Sequence, residues 1–259
     1  MTAFWKSFLR VVITVYLIFG LLLVIFQRDF LYHPTEDVTH DLEVEQYRND
    51  DVTIELIVLN PGMPNAFLYF GGNAENVVYT AYEFKQHFDD TTVYLMQYRG
   101  YGGSEGEPSE EALYSDAELV YNNIHERHDE LAVMGRSLGS GIAVYLAALK
   151  DIRRLMLVTP YDSIENIAAG FYPFYPVSLV LKDRYDSISK VADIKADILV
   201  LAAEFDQVIP RNSTMNLVET FPRARVTMLE LKSVGHNNIS VNREYYPSIK
   251  KFISQAESE

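Results

Sequence analysis

The sequence predicts an α/β fold, a mostly parallel central sheet with helices on both faces and a small helical cap, behind one amino-terminal transmembrane helix. Three observations carry this. From Val52 onward, short apolar runs of strand length alternate with helical stretches, the pattern of parallel strands joined by crossover helices. The 259 residues are 48% hydrophobic, enough for one sizeable core rather than two small ones. Ahead of that core, Val11 to Phe26 carries no charge. The expected division is residues 1–29 as anchor and 30–259 as the α/β domain, with the cap at about 164–191.

Composition removes several classes of function. A formal net charge of −14 with no basic cluster excludes a nucleic-acid backbone as partner, because phosphate binding concentrates Lys and Arg on one face. The absence of Cys removes disulfides, thiolate metal sites and cysteine nucleophiles together.

With Phe8 and Leu9, the run to Phe26 gives a helix of roughly 27 Å at about 1.5 Å per residue, adequate for a hydrocarbon core near 30 Å if Arg10 and Arg28 snorkel. It ends Val24-Ile25-Phe26-Gln27-Arg28, without the small residues a signal peptidase needs. An uncleaved anchor is expected.

Val52, Ile54, Leu56 and Val58 alternate as in a half-buried strand, and Ala66 to Phe70 is a short apolar one. Gly71-Gly72-Asn73-Ala74-Glu75-Asn76 then opens a helix reaching Phe88, with Asn73 as its expected N-cap. Thr92 to Gln97 is the next strand, and Ser115 with Glu118 has the spacing of a capping box for a helix ending near His128. Leu131 to Gly135 is a strand, and helical length resumes from Gly141. Further strands follow at Arg154–Val158, Ile198–Ala203 and Val226–Leu231, with helices after Pro210 and around Tyr245 to Ser254.

Between the strand at Leu131 and its helix lies Gly135-Arg136-Ser137-Leu138-Gly139, a G-x-S-x-G turn. Glycines on both sides of the serine remove Cβ atoms that would collide when the chain doubles back, which leaves the hydroxyl in the open. A serine hydroxyl is a poor nucleophile until a base takes its proton, and the base needs a carboxylate to hold its tautomer. Of six histidines only His236 follows Ser137, in a loop directly after a strand. The acid must lie between them at a strand's carboxyl end, which selects Glu204 and Asp206, with Asp162 as an outside candidate. Asp206 is preferred, because it stands out in the loop whereas Glu204 abuts the strand. An oxyanion needs two amide donors, and Asn73 and Leu138 occupy the positions for them.

Neither a metal nor a cofactor is expected. His125 and His128 are three apart among charges, where a zinc helix of the H-E-x-x-H type places its pair four apart. The glycines at 100, 102, 103 and 106 approximate a dinucleotide loop, but Glu105 takes the place of its third glycine and Pro108 interrupts the helix. They read as a loop near the active site.

Gly71 to Asn76, Tyr98-Arg99-Gly100-Tyr101-Gly102 with Pro108-Ser109-Glu110, the serine turn, Asp206 with Pro210, and Gly235-His236 together resemble the α/β-hydrolase superfamily. More narrowly, they resemble its membrane-anchored bud-emergence-type group, related to protein depalmitoylases and acylglycerol lipases. The resemblance spans roughly Phe30 to Phe252 and implies a serine hydrolase working through an acyl-enzyme, with Ser137 as nucleophile, His236 as base and Asp206 as acid. Departures occur at Gly71, where the family usually has His, at Glu75, where it often has Gly, and at Ala202-Ala203, where a His-Gly pair is common. The related depalmitoylases are held to membranes by acylated cysteines, which this chain lacks, so their substrate does not transfer.

The leading function is hydrolysis of a carboxylic ester or thioester, on a small-molecule or lipid-like acyl substrate. A serine aminopeptidase or amide hydrolase is the alternative within enzymes, and a non-catalytic membrane scaffold the alternative outside them. Phe171, Tyr172, Phe174, Tyr175 and Leu179 offer an apolar wall for an acyl chain, although the same residues suit packing the cap onto the sheet. Lys6, Arg10 and the amino terminus precede the span while Arg28 alone follows it closely, so the positive-inside rule puts the amino terminus in the cytoplasm and the catalytic domain outside. Alkaline phosphatase fused after Glu259 is therefore expected to be active and green fluorescent protein dark at the same place. A bright fluorescent fusion reverses the orientation.

Overall fold

In the computed structural model, which describes residues 3–254, an amino-terminal helix α1 (Ala3–Ile25) runs into a short α2 (Gln27–Leu31). The outermost residues of both expected segments, 1–2 and 255–259, lie outside the described residues. No residue of α1 is buried, and by length and composition the helix is long and apolar enough to cross a membrane.

Next come β1 (Glu43–Asn49), β2 (Val52–Leu59), β3 (Asn65–Phe70), α3 (Val77–His87), β4 (Thr92–Met96) and α4 (Glu110–Ile124). They are followed by β5 (Glu130–Arg136), α5 (Leu138–Leu149), β6 (Arg154–Val158), α6 (Ile164–Phe171) and α7 (Val177–Val180). The chain closes with β7 (Asp197–Phe205), α8 (Arg211–Thr220), β8 (Val226–Gly235) and α9 (Tyr245–Ser254). The eight strands form one sheet in the order β1-β2-β4-β3-β5-β6-β7-β8. β2 is antiparallel to both neighbours, and every pairing from β4 onward is parallel.

Side chains alternate across the sheet, so each strand feeds two cores. Ala66, Leu68 and Phe70 of β3 join Leu113, Val120, Ile142 and Leu217 from α4, α5 and α8. Phe67 and Tyr69 join Val78, Phe84, Tyr245 and Ile249 from α3 and α9 on the opposite face. Burial on both faces is why β4 to β7 read as continuous apolar runs rather than alternating ones.

Three features differ from the sequence expectation. β1 was not anticipated. It is an edge strand of mostly polar residues whose place comes from pairing with β2, the hairpin being closed by Asp50-Asp51 with Asp50 at φ +54. The N-cap of α3 is Asn76, whose side chain accepts from the Val78 amide, and not Asn73. α4 starts five residues before Ser115: Ser109 caps it by accepting from the Ala112 amide, and Glu110 and Glu111 complement the positive end of the helix dipole.

The serine turn sits where β5 reverses into α5. A Cβ added at Gly135 would lie 2.3 Å from the Gly139 carbonyl oxygen, and one at Gly139 would lie 2.2 Å from that of Phe70. Both obstacles are backbone and cannot swing aside. Gly139→Ala is expected to destabilise the fold by about 3 kcal/mol, at the upper end of overpacking costs, as measured by denaturant unfolding in detergent. An unchanged midpoint would show that the turn has room which the structure denies it.

Candidate active site

Parallel strands deliver their carboxyl ends to one edge of the sheet, and the chain crosses over between β3 and β5, with β4 beyond β3. That is the topological switch point where open α/β sheets form crevices. Ser137 follows β5, Asp206 follows β7, His236 follows β8, and the Gly71–Asn73 turn follows β3. All four therefore meet at that edge.

Ser137 adopts φ 49° and ψ −118°, and its amide donates to the Val158 carbonyl at 2.9 Å. Its Oγ lies 2.9 Å from His236 Nε2, and His236 Nδ1 lies 2.9 and 3.1 Å from the two Asp206 oxygens. A carboxylate only accepts, so Nδ1 carries the imidazole proton and Nε2 is left to accept from the serine. Burial by itself would raise the Asp206 carboxyl. Hydrogen bonds from His236 and from the Ile209 and Val208 amides outweigh it and hold the group below the ordinary carboxylate range. Asp206 thus stays ionised where a general base operates.

The other acid candidates are engaged elsewhere. Glu204 accepts from the Ser233 amide at 2.9 Å and pairs with Lys232, which holds the irregular end of β8, where Ser233 takes φ +61 and the β7–β8 register shifts. Asp162 is 1% exposed and accepts from the Ser163 amide, the Ser213 hydroxyl, and the Asn166 and Asn216 amides.

Gly72 faces the serine closely, for a Cβ there would lie 3.7 Å from Ser137 Cβ. Neither the Asn73 amide nor that of Leu138, the first residue of α5, donates to a protein acceptor among the described residues. Both are free for a ligand oxygen, and the α5 amino terminus adds its dipole. The Asn73 side chain has another task, accepting from the His33 amide at 2.9 Å and the Tyr101 hydroxyl at 2.8 Å while donating to the Leu31 carbonyl. The glycine-dense loop after β4 serves this turn too, through Tyr101 and through the Tyr98 hydroxyl on the Gly71 carbonyl at 2.7 Å.

A pair not singled out in the sequence ties these loops together. Glu75 accepts from the Gly72 amide at 2.7 Å, from the hydroxyls of Tyr69 and Thr80 at 2.8 and 2.6 Å, and from Arg136 at 3.2 Å. Arg136 also donates to the carbonyls of His236 and Asn237 at 3.3 and 3.2 Å. Burial by itself would lower the Arg136 pKa, but the charge of Glu75 together with Tyr69 and Tyr245 outweighs it and holds the pKa above the ordinary value. One ion pair therefore joins the turn after β3, the serine turn and the histidine loop. Its signal in the sequence was a pair of opposite charges, Arg136 at the end of an apolar strand and Glu75 in the turn that follows another.

The five cap residues stand apart from this geometry. Phe171, Phe174 and Leu179 are 65%, 84% and 81% exposed, and Tyr175 stacks on Tyr16 of α1 at 4.6 Å. Side chains so placed lie on an outer surface. A cleft of about 40 Å³ beside Asp206, lined by Thr159, Ala203, Ile209 and Met228 among others, includes neither Ser137 nor His236. The paired histidines are separately occupied, His128 between the Tyr94 hydroxyl and the Met63 carbonyl, His125 stacked on Tyr121.

A family model described as alpha/beta hydrolase fold matches residues 55–191. An uncharacterized protein of Mycobacterium tuberculosis is 32% identical over 170 residues, covering 63% of this chain and 60% of its own length. The alpha/beta hydrolase domain-containing protein 17C of Xenopus tropicalis is 29% identical over 166 residues, 62% of this chain and 52% of that protein. The chain thus spans just over half the length of the curated relatives it matches. Among solved structures, the Pyrococcus furiosus esterase Pf2001 superposes with a TM-score of 0.68 at 14% identity, over 86% of this chain and 99% of that one. Est1E from Butyrivibrio proteoclasticus, solved with ferulic acid, gives 0.68 at 12% identity over 83% and 100%. At these identities the likeness is one of fold.

Removing Arg136 would leave Glu75 charged and 9% exposed without its partner. Arg136→Met is expected to cost about 3 kcal/mol, the low end for breaking a buried pair from one side, read from the denaturant midpoint. Stability within a few tenths of the parent would mean that the pair holds nothing.

Proposed function

The chain belongs to the alpha/beta hydrolase fold family, and from that premise we propose that it is a serine hydrolase cleaving a carboxylic ester or thioester through an acyl-enzyme. The observation that carries the reading is the continuous hydrogen-bonded line from Ser137 Oγ through both His236 nitrogens to Asp206. The esterases among its structural neighbours are consistent with it.

In this reading Ser137 Oγ attacks the acyl carbonyl as His236 Nε2 takes its proton, and Asp206 stabilises the imidazolium. The carbonyl oxygen becomes an oxyanion between the amides of Asn73 and Leu138, neither of which is spent on a protein acceptor among the described residues, so both are available as charge develops. His236 then returns the proton to the departing alcohol or thiol, leaving the acyl group on Ser137. Water, deprotonated by the same imidazole, releases the acid and regenerates the hydroxyl. A scaffold without catalysis has no use for this alignment. We read residues 1–29 as the membrane anchor and 30–259 as the catalytic domain. The catalytic domain lies on the outer side.

Ser137→Ala is expected to abolish both fluorophosphonate labelling and hydrolysis of p-nitrophenyl esters, with His236→Ala nearly as severe. Asp206→Asn is expected to lower turnover by about 10⁴-fold, the effect of a wrong imidazole tautomer. Labelling that survives in Ser137→Ala would refute the assignment of the nucleophile.

A further inference from the structure

The cap carries an exposed apolar surface. From Ile167 to Leu181 the chain has no charged residue, in a sequence 22% charged overall. Most of this stretch is exposed, with Phe171, Phe174, Leu179 and Val180 facing outward. A contiguous apolar patch of this kind marks an interaction site. What it meets is indicated by α1, which lies against it.

The contacts occur along α1 and not only at its end. Tyr175 stacks on Tyr16 with the rings 6° from parallel, and meets Phe19 at 5.9 Å. The Tyr16 hydroxyl donates to the Phe174 carbonyl, and the Tyr175 hydroxyl to the Tyr16 carbonyl at 3.1 Å. A Cβ at Gly20 would lie 2.7 Å from the Tyr175 ring, so that glycine lets the ring seat on the helix. Tyr16 stands nine residues before Ile25, which at 1.5 Å per residue is about 14 Å back along the axis. If α1 fills a hydrocarbon core about 30 Å thick, the tip of the cap reaches well inside one leaflet.

The polar groups sit where a membrane surface would then fall. Gln27 accepts from the Lys182 amide at 2.7 Å, and Arg28 pairs with Asp183 at 2.8 Å. Charge resumes on the helix and on the cap at the same level.

We propose that the cap, residues 171–180, is immersed in the lipid leaflet alongside the carboxyl-terminal half of α1 and forms a second membrane contact of the catalytic domain. This rests on the reading of α1 as a membrane-spanning anchor and is independent of the serine chemistry. The occupant of the patch is bilayer hydrocarbon.

The lack of cysteine makes the test direct, because each introduced thiol is the single labelling site. The full chain carrying Phe174→Cys, Leu179→Cys, Ile13→Cys or Asp51→Cys is labelled with a nitrobenzoxadiazole fluorophore and reconstituted in phosphatidylcholine vesicles. Circular dichroism confirms the fold of each, and two cap positions guard against failure of one. Position 13 reports the anchor, and position 51 reports water at the β1–β2 turn. Positions 174 and 179 are expected to behave as position 13 does, quenched by doxyl-labelled acyl chains and shielded from aqueous iodide. Iodide quenching at 174 and 179 equal to that at 51, with 13 shielded, overturns the proposal and leaves the anchor standing. Iodide quenching at 13 as well overturns both.

Discussion

The reversal of the backbone at Ser137 is the constraint on which the rest of the site depends. β5 and α5 approach so closely that only glycine fits at 135 and 139, and Gly139 lies against the carbonyls of Phe70 and Gly71. The same turn is bonded to β6 through the Ser137 amide on Val158. Three adjacent strand ends are thereby fixed to one another at backbone level. Core packing alone, which tolerates shifts of some tenths of an ångström, would not set a hydroxyl within hydrogen-bond distance of a ring on another strand.

The remaining parts are brought in by loops that differ in how they are held. Asp206 stands in the loop directly after β7, locked by the Val208 and Ile209 amides. His236 comes at the end of a strand that has slipped register, and Glu204 stabilises the slip by taking the Ser233 amide. The turn after β3 has no sheet partner at its tip and depends on side chains instead, those of Glu75, Tyr98 and Asn73. Charge is used where backbone pairing runs out. The Glu75–Arg136 pair bridges two loops whose own hydrogen bonds are spent.

Much of this was legible beforehand, for identifiable reasons. The place of Ser137, Asp206 and His236 each after an apolar run follows from a parallel sheet, because such strands all end on one side. The strand β1 was not legible, since Glu43, Glu45, Gln46 and Arg48 carry no apolar rhythm and its pairing is supplied by β2. Asn73 was misread as a cap because its side chain bonds across the chain to Leu31 and His33, which a local pattern does not reveal. The role of the cap was not legible for a related reason: an aromatic run has the same composition whether it faces a pocket, a core or a helix that comes 150 residues earlier.

Ser137 holds a backbone conformation, φ 49° and ψ −118°, that residues with a Cβ rarely adopt and that costs on the order of 1–3 kcal/mol. Glycine would occupy it without that strain. Stability and chemistry therefore pull this one position in opposite directions. Mutational drift under pressure for a robust fold alone would carry residue 137 toward glycine and leave the sheet, the helices and the ion pair unchanged. The proposed nucleophile thus sits on strained backbone that glycine would relieve only with the loss of the hydroxyl.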